Sequence, residues 1–374
     1  MLYRKIEKEE VSLLGIGCMR FPTIDDKIDK EKTYEMLKYA VDNNINYFDT
    51  AYIYHNGQSE SFIGEFIEEY NLREKIKLAT KLPSWLIKNH EDMYKYLDEQ
   101  LNNLKTDYID FYLMHSLNKE DFDNLVKCGV FEFLDDIKRR GKAKYVGFSF
   151  HDSFEVFKEI VDSYEWDFAQ IQYNYIDEEY QAGTKGLKYA HEKGLAVVIM
   201  EPLRGGKLAN NISEDILDNI KHTNKSAVEL GFEFLYDKEE ISVVLSGMST
   251  IEQIKENIEI VDKYGKVNSL TPDEKVAISN LRDAIREKMV VRCTNCRYCV
   301  PCPMNVEIPK AFEVLNNASM FEDVDAFRYK YRALEKDNID PSRCIKCGKC
   351  EKICPQNIDI INKLELVKNT FKEK

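Results

Sequence analysis

Residues 45–81, INYFDTAYIYHNGQSESFIGEFIEEYNLREKIKLATK, contain one complete architectural unit. Two short apolar runs, INYFD (45–49) and KLATK (77–81), are close to continuous, the pattern of strands covered on both faces. Between them Phe62, Ile63, Phe66, Ile67 and Tyr70 return an apolar face every three or four residues, the period of an amphipathic helix. Strand, helix and strand in this order predict a crossover between parallel neighbours.

The unit recurs in both directions along the chain. LLGIG (13–17), IDFYLMH (109–115), KYVGFS (144–149), FAQIQY (168–173), LAVVIM (195–200) and SVVLSG (242–247) read as further strands. Met93, Leu97, Leu101 and Leu104, and later Ile251, Ile254, Ile258 and Val261, mark crossover helices. Eight strands within residues 1–285 fit a closed (β/α)8 TIM barrel better than an open doubly wound sheet, so an α/β fold is expected. The longest interval precedes the eighth strand. It holds LRGGKLANN (203–211), which suits a loop over the barrel mouth, and a helical pattern from Ser226 to Asp237.

The 374 residues are 44% hydrophobic and 32% charged, a composition that can bury a sizeable core. Net charge is −13, which argues against nucleic acid or anionic lipid as a partner, because neutralising phosphate needs a basic face. The opening MLYRKIEKEE is too charged for a secretory signal, and no apolar run approaches the roughly 18 residues of a membrane span. A cytoplasmic location without membrane contact is the expectation.

Cysteine use changes abruptly near residue 290. Cys18 and Cys128 precede that point; Cys293, Cys296, Cys299, Cys302, Cys344, Cys347, Cys350 and Cys354 follow it. Residues 291–374 carry 15 Lys and Arg against 12 Asp and Glu, leaving −16 on the remainder. Two domains are therefore expected, 1–285 and 286–374. The second should be mainly helical, since Ala311, Phe312 and Leu315, then Phe327, Tyr331 and Leu334, recur at helical spacing.

The run C344-x2-C347-x2-C350-x3-C354-P is the pattern of a bacterial ferredoxin that binds a [4Fe-4S] cluster, and C293-x2-C296-x2-C299-x2-C302-P nearly repeats it. Zinc sites usually pair two C-x2-C knuckles, so iron is favoured over zinc. Because the fourth cysteine of such a run commonly ligates the other cluster, Cys293, Cys296, Cys299 and Cys354 form one expected set. Cys344, Cys347, Cys350 and Cys302 form the other. A first run that holds no cluster stays open.

Polar residues at the C-terminal ends of barrel strands face a common mouth. Asp49, Lys81, His115 and Ser149 end the second to fifth expected strands, and Tyr54 follows Asp49 by five residues. A tyrosine beside a cation can act as a proton donor, because the cation favours its phenolate, with a carboxylate to hold the cation and a neutral histidine as a further hydrogen-bond donor.

On FDTAYIYHNGQSESFIGEFI (48–67), ATKLP (79–83), YIDFYLMHSL (108–117), VGFSFHD (146–152) and SGMSTIEQIKEN (246–257), the chain resembles the aldo-keto reductases over about residues 1–285. The D-x4-Y spacing selects Tyr54 over Tyr52. The resemblance implies Tyr54, Lys81, Asp49 and His115 as catalytic residues and NADP or NAD as cofactor. It further implies that Ser149 and Gln170 bind the nicotinamide carboxamide, and that Arg204, Gly205 and Lys207 lie along the pyrophosphate. Met200, Leu203, Gly247, Gln253 and Asn257 complete the implied cofactor contacts. Four positions depart from the family pattern. Gly247 and Gln253 stand where many relatives carry Lys and Arg for the 2'-phosphate, Met200 replaces an aromatic ring, and Phe150 replaces Asn. No strong preference for NADPH over NADH is expected.

Nicotinamide passes two electrons as hydride and a cluster passes one, and no flavin fingerprint is present to split the pair. Three readings stay open. The barrel reduces a small-molecule carbonyl and the clusters serve a one-electron redox protein; the barrel reduces and the clusters are structural; or the barrel is non-catalytic and the chain is an electron-transfer or partner-binding protein. The Asp49, Tyr54, Lys81 and His115 set argues against the third.

Overall fold

The computed structural model describes residues 1–210, 212–293, 299–354 and 356–372, with the backbone alone at Asn210. Eight parallel strands close in chain order: Leu14–Gly17, Tyr47–Asp49, Lys77–Leu82, Ile109–Leu117, Ala143–Phe150, Phe168–Gln172, Ala196–Met200 and Ile241–Ser246. The last strand meets the first with Val244 opposite Leu14 and Ser246 opposite Ile16. The expected (β/α)8 barrel is thus the architecture, and each expected strand lies within two residues of its observed ends.

The outer helices bury the faces read from the sequence: Ile63, Phe66 and Ile67 on Ser59–Glu69, Met93, Leu97 and Leu101 on His90–Asn103, Ile254, Ile258 and Val261 on Ile251–Tyr264. Several begin where a short polar side chain can take an otherwise unsatisfied N–H. Asn89 accepts from Asp92, Asn118 from Asp121, Ser153 from Val156 and Thr250 from Gln253, each worth about 1 kcal/mol.

An antiparallel hairpin, Tyr3–Ile6 with Glu9–Ser12, precedes the barrel. Its fully buried Ile6 and Val11 join Tyr47, Ala79, Phe111, Leu113, Phe168, Val198, Val243 and Leu245 in one apolar cluster. The hairpin was not legible beforehand. Its strands, YRKI and EEVS, are four residues each and half charged, too short and polar to show a period.

By its internal contacts the chain groups into two compact units, Met1–Gly205 with Val228–Pro272, and Gly206–Ala227 with Asp273–Lys374. This differs from a single cut at 285/286. The excursion after the seventh strand and the helix Pro272–Glu287 share polar contacts with the C-terminal region. Lys225 pairs with Glu274, Lys207 with Asp323 at 3.2 Å, and Lys288 bonds Ser213 at 2.9 Å and Glu322 at 2.7 Å.

The C-terminal unit is helical, as expected. Ile308–Met320, Arg328–Lys336 and Ile360–Phe371 enclose a core that includes Ala311, Phe312, Leu315, Tyr331, Leu334, Leu364 and Val367. Tyr331 stacks on Phe371 with ring centroids 5.1 Å apart. Buried Asn316 spans Val291, accepting from its N–H at 2.9 Å and donating to its carbonyl at 2.7 Å, which anchors the chain just before the first cysteine run. Among the described residues no helix is long and apolar enough to cross a membrane.

Candidate active site

The second, third and fourth barrel strands bring Asp49, Lys81 and His115 to one place. Lys81 Nζ lies 2.7 Å from Asp49 Oδ1, donates to the Thr50 carbonyl at 2.8 Å, and lies 3.3 Å from the Tyr54 hydroxyl. Asp49 and Lys81 are buried, so water screens this pair little. Tyr54 opens a short helical turn, Tyr54–Gly57, broken by left-handed backbone at His55 and Asn56. Tyr52 points elsewhere and donates to Glu99 at 3.3 Å.

The Tyr54 and His115 rings meet edge to face with centroids 6.1 Å apart. His115 reaches that position through an irregularity in its own strand. Register shifts between Met114 and Leu117, and Ser116 has φ 57°. Such bulges re-aim side chains next to active sites. Ser149 on the fifth strand supports the bulge, its Oγ accepting from the Ser116 N–H at 2.6 Å.

Burial lowers the His115 pKa well below that of a free histidine, and the charges of Lys81 and His151 add to this, so the ring is neutral. Burial acts against the Lys81 ammonium, but Asp49 and Tyr54 outweigh it and leave its pKa raised. Burial raises the Tyr54 phenol above its ordinary value; Lys81 works against that rise and Asp49 with it. The phenol is therefore protonated, with a held cation ready for the phenolate.

Lys81 is also held from behind. Gln100 donates to its carbonyl at 3.0 Å and to Glu60 Oε1 at 2.5 Å, while Tyr112 donates to Gln100 at 2.8 Å and Thr80 to Glu60 at 2.6 Å. All four partners are buried. Sequence reading missed this network because Glu60 and Gln100 sit in otherwise ordinary amphipathic helices. Trp85, whose ring centroid is 5.2 Å from that of His115, was missed likewise.

The remaining implied cofactor residues have diverse placements. Gln170 donates weakly to Met200 Sδ at 3.7 Å, and its buried Oε1 has no hydrogen-bond partner among the described residues, an unsatisfied acceptor of the kind that a carboxamide N–H would satisfy. Asn257 donates to Ser246 Oγ at 3.1 Å. Leu203 packs over Gly231, where a Cβ would lie 2.8 Å from its Cδ2. Arg204 is clamped to buried Asp177 by two bonds of 2.9 and 2.8 Å, and Lys207 is paired with Asp323 at 3.2 Å within the second unit. Both cations thus have anionic partners within the chain. Gln253 accepts from the Ser249 N–H at 2.8 Å, beside Gly247.

Of the eight cysteines expected to bind iron, Cys296 lies outside the described residues, as does Pro355 of the second run. Cys347 is exposed, and Cys293, Cys299, Cys302, Cys344, Cys350 and Cys354 are half-buried. Among the described residues no three His, Cys, Asp or Glu side chains converge as a metal site. Thiols gain nothing from converging until a metal displaces their protons. The 344–350 loop nonetheless has the form of a ligand loop. Lys346 (φ 58°) and Gly348 (φ 69°) turn the backbone left-handed, and the Lys346 N–H lies 3.4 Å from Cys344 Sγ, aimed to stabilise a thiolate.

Comparison with known proteins bears on both halves of the chain. The family model described as Aldo/keto reductase family matches residues 13–267, and that of a 4Fe-4S dicluster domain matches 292–358. An uncharacterized oxidoreductase of Bacillus subtilis, YqkF, is 28% identical over 282 residues, covering 67% of this chain and 87% of the relative. The Schizosaccharomyces pombe aldo-keto reductase yakc [NADP(+)] is 27% identical over 220 residues, covering 55% of this chain and 62% of the relative. The holo structure of aldo-keto reductase AKR11C1 from Bacillus halodurans superposes with a TM-score of 0.65 at 25% identity, covering 75% of this chain and 96% of that one. With the strand-end tetrad assembled in a closed barrel, the chain belongs to the aldo/keto reductase family and is an oxidoreductase with a C-terminal 4Fe-4S domain.

Proposed function

We propose that the barrel reduces a small aldehyde or ketone to its alcohol with NADPH or NADH. The observation that carries this reading is the hydrogen-bonded chain from Asp49 through Lys81 to the Tyr54 hydroxyl, beside a neutral His115. The bound nicotinamide supplies hydride. Tyr54 gives its proton to the oxygen that gains charge, and Lys81 stabilises the phenolate left behind. Asp49 keeps Lys81 charged and aimed. Neutral His115 donates a hydrogen bond to the carbonyl oxygen without placing a second cation beside Lys81. Gln170 and Ser149 would hold the nicotinamide carboxamide, Gln170 with its unpartnered Oε1 as acceptor. Use of NADP is supported by the fission yeast relative named for it.

In the same proposal the eight cysteines hold two [4Fe-4S] clusters, one on Cys293, Cys296, Cys299 and Cys354, the other on Cys344, Cys347, Cys350 and Cys302. Exposure of Cys347 favours an electron outlet to a one-electron protein over a purely structural role. Cysteines kept reduced for iron suit the cytoplasm. The test is stoichiometric. Anaerobic protein given NADPH or NADH and a short aldehyde should form one alcohol per dinucleotide oxidised; failure to bind either dinucleotide overturns the reading.

A further inference from the structure

Arg20 stands three residues beyond the first barrel strand, Leu14–Gly17, in a stretch whose glycines carry no dinucleotide fingerprint. Its backbone is tied down on both sides. Ser249 Oγ donates to its carbonyl at 2.8 Å, and the next residue, Phe21, donates its N–H to His55 at 3.2 Å while stacking on that ring with centroids 5.6 Å apart. The segment is thus fixed between the turn that carries Tyr54 and the loop after the eighth strand.

The Arg20 side chain runs across two glycines. A Cβ built on Gly247 would lie 2.8 Å from Arg20 Cδ, and one built on Gly205 would lie 2.7 Å from Arg20 Nη2. Gly247 follows the eighth strand and Gly205, with φ 67°, follows the seventh. A side chain at either glycine would displace the arginine. The stem therefore occupies the position at Gly247 and the guanidinium tip reaches the position at Gly205. Arg20 is exposed, and among the described residues its guanidinium makes no hydrogen bond or ion pair. The neighbouring cation on the Gly205 loop, Arg204, is instead held by Asp177.

The loops after the seventh and eighth strands are where (β/α)8 barrels commonly bind phosphate. The 14-residue helix Ile251–Tyr264 begins four residues after Gly247 and adds the positive end of its dipole on that side. Glycine at the guanidinium tip leaves backbone N–H open to a ligand. We infer that Arg20 is the cation that grips the pyrophosphate of a bound dinucleotide. The inference rests on the dinucleotide-dependent reading above and adds to it the residue that holds the phosphates. It assigns the charge to the pyrophosphate because Nη2, the donor, lies at Gly205, whereas only the apolar stem crosses Gly247.

The test is titration of the full-length wild type, Arg20→Ala and Arg20→Lys with NADH and NADPH, followed by protein fluorescence, with thermal midpoints measured alongside. Loss of charge-assisted hydrogen bonds should weaken both dinucleotides about 10- to 100-fold in Arg20→Ala, by similar factors. Arg20→Lys should recover part of the loss, and the midpoints should agree, since the side chain is exposed. Unchanged affinity in Arg20→Ala overturns the inference alone. Weakening of NADPH only also overturns it, by moving the charge to the 2'-phosphate. Wild type that binds neither dinucleotide overturns the function proposed for the barrel and this inference with it.

Discussion

Gln100, on a helix outside the barrel, donates a 3.0 Å hydrogen bond to the carbonyl of Lys81, whose ammonium lies 2.7 Å from Asp49 inside it. The same Gln100 amide binds Glu60, and its oxygen accepts from Tyr112. Position of the Lys81 cation at the barrel mouth is thus set through the barrel wall. Gln100→Leu should strand the Tyr112 hydroxyl, take one donor each from the Lys81 carbonyl and Glu60 Oε1, and lower unfolding free energy by about 1–3 kcal/mol, measured by urea titration. It should lower kcat with little change in dinucleotide affinity. Unaltered stability would show that the network is not closed in solution.

The Asp49–Lys81 pair is buried, so the two partners depend on each other more than a surface pair would. Asp49→Asn leaves an uncompensated ammonium and should cost about 3–5 kcal/mol. Double replacement, Asp49→Asn with Lys81→Met, should recover much of that stability but none of the activity. A single variant as stable as wild type would contradict the buried geometry.

Tyr54→Phe keeps the ring and removes the acid. Carbonyl reduction should fall by about 10²- to 10⁴-fold, while NADPH affinity and iron content stay the same. The measurement is steady-state reduction of an aldehyde that wild type clearly turns over, and an unchanged rate would remove Tyr54 as proton donor.

Titration of His115 yields a signed prediction. Its folded pKa lies well below the free value of about 6.5, mainly through burial, so at mildly acid pH the unfolded chain binds a proton that the folded chain refuses. Its contribution to stability is therefore complete above about pH 6.5 and is lost as pH falls below it. Between pH 7.5 and 5.5 wild type should lose more stability than His115→Gln, compared by thermal midpoint. Reduction should show no break in kcat near pH 6.5 from this residue; such a break would mean that His115 titrates normally.

Two clusters require about eight iron atoms and eight acid-labile sulfides per chain after anaerobic preparation. Cys347→Ser should remove up to half of both and Cys128→Ser none, by colorimetric assay. About four irons in wild type would leave a single cluster, and tightly bound zinc with little sulfide would displace the ferredoxin pattern.

The barrel and three of the residues at its mouth were legible in the amino-acid order because they depend on local periodicity, and Tyr54 was picked out by the D-x4-Y spacing of the family resemblance. A strand buried on both faces reads as an apolar run, its crossover helix repeats every three or four residues, and Asp49, Lys81 and His115 lie within two residues of the ends of their strands. The cysteine runs were legible for the same reason, as ligands of one cluster must lie a few residues apart. Contacts between residues distant in the chain were not. The Glu60–Gln100 network, the bulge that aims His115, the Asp177 clamp on Arg204 and the course of Arg20 across Gly205 and Gly247 join segments 40, 33, 27 and more than 180 residues apart. Sequence alone determined which strands and crossover helices build the barrel and which polar residues stand near the strand ends. Tertiary structure decided that Arg204 is already paired with Asp177 while Arg20 is exposed, because pairing depends on packing across the closed barrel rather than on neighbours in the chain.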